Sequence, residues 1–166
     1  AIYYELSAVS SGVAKVREIL KKRDHDFEIG KSAILFIDEI HRFNKSQQDA
    51  LLHAVENGSI ILIGATTENP SFEVISPLLS RCQVLKLKSL ESQSLAQILR
   101  RAKSEDVLLS QLNIKINPKA ESLLLSTCGG DARKMLNTFE LAVSLADGEP
   151  ISDKNISNAL QQKYVI

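Results

Sequence analysis

The run Ala33-Ile34-Leu35-Phe36-Ile37, followed at once by Asp38-Glu39, constrains this chain more than any other stretch. Five consecutive apolar residues, rich in β-branched and aromatic types, read as a strand buried on both faces of a parallel sheet. Two adjacent carboxylates then arrive at the strand's carboxyl end, the edge at which open α/β sheets take their ligands. Like charges packed there are costly unless a cation or a catalytic task uses them. The plainer alternative is a buried strand that runs into an acidic, solvated turn.

Other segments fall into place around that strand. Ile2 to Leu6 is β-rich and short, and Ser7 to Gly12 is small and polar. Val13, Val16, Ile19 and Leu20 form a helical stripe that ends at Lys21-Lys22-Arg23-Asp24, with a loop over Asp24 to Lys31. A helix is expected over Lys45 to Glu56, stopped by Asn57-Gly58. Ile60 to Ile63 reads as a second fully buried strand, opening into the polar loop Gly64 to Pro70. A short helix over Ser76 to Ser80 tolerates Pro77 in its first turn. Val84 to Leu87 is expected as a fourth strand. Strands alternating with helices imply a parallel sheet built from βαβ units.

Beyond Lys88 the pattern turns helical. Leu95, Ile98, Leu99 and Ala102 repeat at helical spacing, and Ile114-Lys115-Ile116 suits a short extended link. Pro118 opens a further helix. Gly129-Gly130-Asp131 breaks and recaps the chain, with Asp131 as N-cap of a helix carrying Met135, Leu136, Phe139, Val143 and Ala146. Ser152 caps a last helix. Residues 89–166 are thus expected to form a small all-helical domain after an α/β portion over residues 1–88.

Composition narrows the class. Lys+Arg and Asp+Glu number 20 each, so no net field advertises nucleic acid, although a local basic patch remains compatible with that sum. Cys82 and Cys128 lack the paired spacing of a disulfide framework or zinc site, which fits a reduced compartment such as cytosol or nucleus. No apolar run approaches membrane-spanning length.

Four polar features now line up: Asp38-Glu39 after one strand, Thr66-Thr67 after the next, Ser80-Arg81-Cys82 before the expected fourth, and Gly130-Asp131-Ala132-Arg133 opening a helix. Singly, Thr67 is an ordinary turn residue and Arg81 an ordinary surface residue. In order, they resemble the AAA+ ATPases of the clamp-loader clade, with Asp38-Glu39 as the Walker B pair. Ile37-Asp38-Glu39-Ile40-His41-Arg42-Phe43-Asn44-Lys45-Ser46-Gln47-Gln48-Asp49 further resembles the signature of the replication-associated recombination protein A family, whose eukaryotic members are the Werner helicase-interacting proteins. Gly64 to Phe72 and Leu78-Leu79-Ser80-Arg81 resemble the same family.

That resemblance implies roles. Asp38 would hold the Mg²⁺ of Mg-ATP, mostly through water, and Glu39 would orient the attacking water. Thr67 would be sensor 1, Arg81 the arginine finger offered to a neighbouring subunit's ATP, and Arg133 sensor 2, coupling the helical lid to the γ-phosphate. Ser7, at the end of its strand, would restrain Glu39 until DNA binds, or is simply a turn residue. His41, Arg42 and Asn44 to Gln48 would transmit DNA contact, or form a helix cap and an exposed helix face.

One departure is large. No Gly-x-x-x-x-Gly-Lys-Ser/Thr occurs, and Gly30-Lys31-Ser32, which imitates its last three letters, leads into a strand rather than a helix. The resemblance implies that the phosphate loop and a central strand precede Ala1, and that an oligomerisation domain follows Ile166. The fold expected is therefore a partial P-loop NTPase sheet followed by a helical lid, inactive alone but part of an oligomeric, DNA-dependent ATPase. Such an enzyme would act at stalled forks and single-strand/double-strand junctions, in the bacterial cytoplasm or a nucleus. A single-stranded DNA-binding protein or a helicase would be a further partner. The alternatives are a clamp-loader motor subunit and a non-catalytic clamp-loader-like subunit.

Overall fold

A computed structural model of the chain describes residues 1–9, 13–28 and 33–162. These divide into two compact units, Ala1–Lys86 and Leu87–Ile166. No described helix is long and apolar enough to cross a membrane.

The first unit is built on three parallel strands in the order β1 (Ile2–Ser7), β2 (Ala33–Asp38), β3 (Ile60–Gly64). The helix α1 (Val13–Glu28) joins β1 to β2, and α2 (Lys45–Glu56) joins β2 to β3. α1 runs further than its apolar stripe predicts. The residues from Arg23 to Glu28 include neither Gly nor Pro, so nothing local ends the helix before Gly30. Gly30-Lys31-Ser32, expected as loop, lies outside the described residues.

Both strands expected to be buried on two faces are in fact covered on one. Residues paired in register share a face, and the set containing Leu6, Ala33, Leu35, Ile37 and Ile60 is buried. Ile34 and Phe36 on the opposite face are half-buried, and Ile61 and Ile63 keep 56% and 46% of their surface exposed. The cause is topological. The strands advance in a single direction, and successive right-handed crossovers then lay both helices on one side. α1 and α2 accordingly pack against each other, and against β2 and β3 respectively.

The expected fourth strand is absent among the described residues. From Arg81 to Leu90 the chain is exposed, Leu85 and Leu87 at 75% and 91%. A strand exists only through its ladder, and no described strand pairs with Val84–Leu87. Two one-turn helices precede this segment. They are α3 (Pro70–Glu73), which begins at the last residue of the expected polar loop, and α4 (Ser76–Leu79).

Local signals set α2. Asn44 accepts from the Gln47 N–H at 2.9 Å, and the Gln47 side chain accepts from the Asn44 N–H at 2.9 Å, a reciprocal cap. Gln47 and Gln48 are buried rather than on an exposed face. Gln48 is 1% exposed: its amide donates to the Phe43 and Glu73 carbonyls at 3.0 Å each and accepts from the Ile75 N–H at 2.9 Å. It thereby ties the turn after β2 to the segment between α3 and α4. Gln48→Leu would strand all three backbone groups, and is expected to cost about 3 kcal/mol. A lower urea midpoint at unchanged slope is the expected result; an unmoved midpoint would show that those groups find other partners.

The second unit comprises α5 (Ser92–Glu105), α6 (Pro118–Thr127), α7 (Ala132–Ala146) and α8 (Asp153–Gln162) around Leu95, Leu99, Leu124, Met135, Phe139 and Ile156. The link at Ile114–Ile116 is tied down by a parallel bridge from Ile116 to Ile151. Asp131 caps α7 by accepting from the Lys134 N–H at 2.9 Å. Gly130 before it has φ +83°, and a Cβ there would lie 2.6 Å from Ser89 Cβ and 2.9 Å from the Leu90 carbonyl oxygen. Only glycine lets residues 89–90 fold so closely across the start of α7.

Candidate functional site

The carboxyl ends of the three strands carry the polar residues singled out by sequence. Ser7 and Asp38 are register partners at the ends of β1 and β2, and the Ala8 N–H donates to the Asp38 carbonyl at 2.9 Å. Asp38 is exposed. The ladder continues past β2 and β3, because the Ala65 N–H donates to the Ile37 carbonyl and the Ile40 N–H to the Ala65 carbonyl, both at 2.9 Å. Ile40 packs over Gly64, where a Cβ would come within 3.1 Å of its Cδ1.

Between these fixed points Glu39 adopts a left-handed conformation, φ 55° and ψ 46°. For a residue with a Cβ this costs about 1–2 kcal/mol, a strain that surrounding structure must sustain and that clusters at functional sites. The turn starts a single 3-10 turn over Ile40–Arg42 and gathers the side chains around it. The Thr67 hydroxyl donates to Glu39 Oε2 at 3.3 Å. His41 Nδ1 lies 3.1 Å from the same oxygen and 2.9 Å from Thr66 Oγ1. Thr66 Oγ1 also accepts from the Glu68 N–H at 3.0 Å, which fixes the loop after β3.

The structure therefore brings Glu39 and Thr67 together, next to Asp38 in the chain. His41 and Thr66 are the members that sequence reasoning did not assign to this cluster. The sequence marks Thr66 only as part of the Thr66-Thr67 pair and His41 only as a residue that would transmit DNA contact or form a helix cap. Arg81 is held elsewhere: its guanidinium pairs with Glu56 Oε1 at 2.7 Å and donates to the Pro77 carbonyl at 2.7 Å and to Ser80 Oγ at 3.2 Å. Desolvation pushes the neighbouring Cys82 thiol up, away from the thiolate that a nucleophile needs. In the second unit, Arg133 is exposed in the first turn of α7.

Asp38 and Glu39 are hard oxygen donors. Among the described residues no group of three or more His, Cys, Asp or Glu is gathered as an all-protein metal cage. Mg²⁺ is commonly held with several waters, one or two carboxylates and the substrate's phosphates, and an exposed Asp38 fits that habit.

Comparison with known proteins agrees with this architecture. Residues 4–90 match the family model described as "ATPase family associated with various cellular activities (AAA)", and residues 110–166 match one described as "AAA C-terminal domain". The chain is 46% identical over 138 residues to "ATPase WRNIP1" of Dictyostelium discoideum, covering 83% of this chain and 16% of that protein. It is 43% identical to "Replication-associated recombination protein A" of Escherichia coli K12, covering 86% of this chain and 32% of that one. The Haemophilus influenzae protein of the same name is 42% identical over 96% of this chain and 36% of its own length. The chain thus spans about a third or less of these relatives. Among solved structures, the "Thermotoga maritima RuvB Holliday junction branch migration motor" superposes with a TM-score of 0.72 at 23% identity, over 97% of this chain and 53% of that one. This last likeness is one of fold.

Proposed function

This chain belongs to the ATPase family associated with various cellular activities, and on that premise we propose that it supplies the water-activating part of an ATP-hydrolysing site in an enzyme of replication-associated recombination and repair. One observation carries the reading: Glu39, held in a strained turn at the end of β2, has one carboxylate oxygen occupied by Thr67 and His41 and follows directly on Asp38. The names of its relatives, which include an ATPase and two replication-associated recombination proteins, support the same reading.

In this reading the second oxygen of Glu39 accepts a hydrogen bond from the attacking water and draws off its proton. The water's oxygen bonds to the γ-phosphorus as the bond to the ADP oxygen breaks. Thr67, bonded to Glu39 through its hydroxyl, would serve as sensor 1, placing that hydroxyl between the water and the γ-phosphate. Mg²⁺, held by Asp38 largely through water, would neutralise charge on the phosphates. Arg81 would serve a neighbouring subunit, and Arg133 would be the lid's cation for the γ-phosphate, both on the strength of their sequence motifs.

The substrate-side proposal is DNA, at stalled forks and junctions of single and double strands, with the whole protein acting as an oligomer. The whole protein is expected to hydrolyse Mg-ATP, and to do so faster when forked or gapped DNA is added. A rate indifferent to DNA at low and moderate salt would remove DNA from the proposal. Absence of any turnover would remove the ATPase itself.

A further inference from the structure

We propose that His41 is a positioning residue for Glu39, one that selects which carboxylate oxygen faces the attacking water. The inference rests on the ATPase reading of Glu39. Residues two apart on a helical turn do not normally face each other. Here the left-handed backbone at Glu39 folds its side chain back onto His41, so that Nδ1 comes within 3.1 Å of Oε2. The His41 side chain is only 11% exposed, so the contact is made in a sheltered place rather than at a solvated surface.

The chemistry of the neighbours sets the direction of the bond. An ionised carboxylate only accepts, so the ring nitrogen facing it carries the hydrogen. Thr66 Oγ1, 2.9 Å from the same nitrogen, is the second acceptor of that N–H and also takes the Glu68 N–H. The Thr67 hydroxyl approaches Oε2 as well, at 3.3 Å. Two donors therefore converge on Oε2 and leave Oε1 as the oxygen for water. By bridging Glu39 and Thr66, His41 also fixes the carboxylate against the loop that carries Thr67. A carboxylate displaced by about 1 Å can lose about 10²-fold in rate, which gives this sheltered contact kinetic weight.

The test uses the whole protein with saturating DNA and three substitutions. In His41→Asn the side-chain amide donates from near the Nδ1 position, whereas in His41→Gln it sits near Nε2; His41→Ala has no donor. His41→Ala and His41→Gln are expected to lower kcat about 10- to 100-fold with ATP affinity unchanged, and His41→Asn to recover most of the loss. In a Glu39→Gln background, His41→Ala should add little further loss, because the two residues act as one unit. A merely structural histidine would instead give losses that multiply, and equal behaviour of Asn and Gln. Wild-type kcat in His41→Ala, or Asn and Gln falling together, overturns this inference while leaving the ATPase intact. A wild-type protein without turnover overturns the ATPase reading and this inference with it.

Discussion

Arg81→Ala in the whole protein is expected to bind ATP nearly as the wild type does and to hydrolyse it about 10³-fold more slowly. The guanidinium is attached to the carboxyl end of α2 through Glu56 and to α4 through the Pro77 carbonyl, and its described partners do not include Glu39 or Thr67. The guanidinium is thus held by α2 and α4 and not by its own chain's carboxylate pair. It remains 40% exposed, and if an adjoining subunit presents its nucleotide there, as proposed, the planar fork of donors would match charge spread over phosphoryl oxygens. The Arg81–Glu56 pair is half in solvent and worth at most about 1 kcal/mol. Loss of activity would therefore not reflect loss of the fold. Mixing Arg81→Ala with Glu39→Gln subunits supplies the decisive measurement. Some mixed sites pair an intact Glu39 with an intact Arg81, so partial activity should return. Mixed oligomers no more active than either variant would show that Arg81 does not act across subunits, and a normal rate in Arg81→Ala alone would leave it a surface arginine.

Glu39→Gln is expected to retain ATP binding and lose about 10²-fold or more in hydrolysis, the scale of a missing general base. Glutamine preserves the length of the side chain and an acceptor for the Thr67 and His41 donors, so the turn should survive. What disappears is the negative charge that polarises water. Asp38, on the strand and outside the strained turn, should keep its position, and with it the Mg²⁺ contact proposed for it. A DNA-stimulated rate equal to wild type would assign the catalytic carboxylate elsewhere. Tight ATP binding with slow turnover is the pattern that separates a lost base from a broken site.

The elements legible from sequence are those whose cause is local. An apolar run of strand-forming residues makes β2, and its end places Asp38 and Glu39 at the sheet's carboxyl edge. Asn44 and Asn57-Gly58 bound α2, and Asp131 begins α7, because caps depend on groups a few residues apart. Tertiary structure decided what depends on distant partners. Periodicity cannot say that both crossovers lie on one side, so the second face reads as fully buried but is only half-buried on β2 and exposed on β3. Val84–Leu87 has the composition of a strand, but among the described residues no strand lies beside it to form a ladder. The cluster around Glu39 depends on the register of β3 against β2, which sets Ala65 beside Ile37 and Ile40. It depends equally on a left-handed turn at a glutamate, which no propensity favours. His41 and Thr66 stand 25 positions apart in sequence, and that register and that turn bring His41 to the carboxylate and Thr66 to His41.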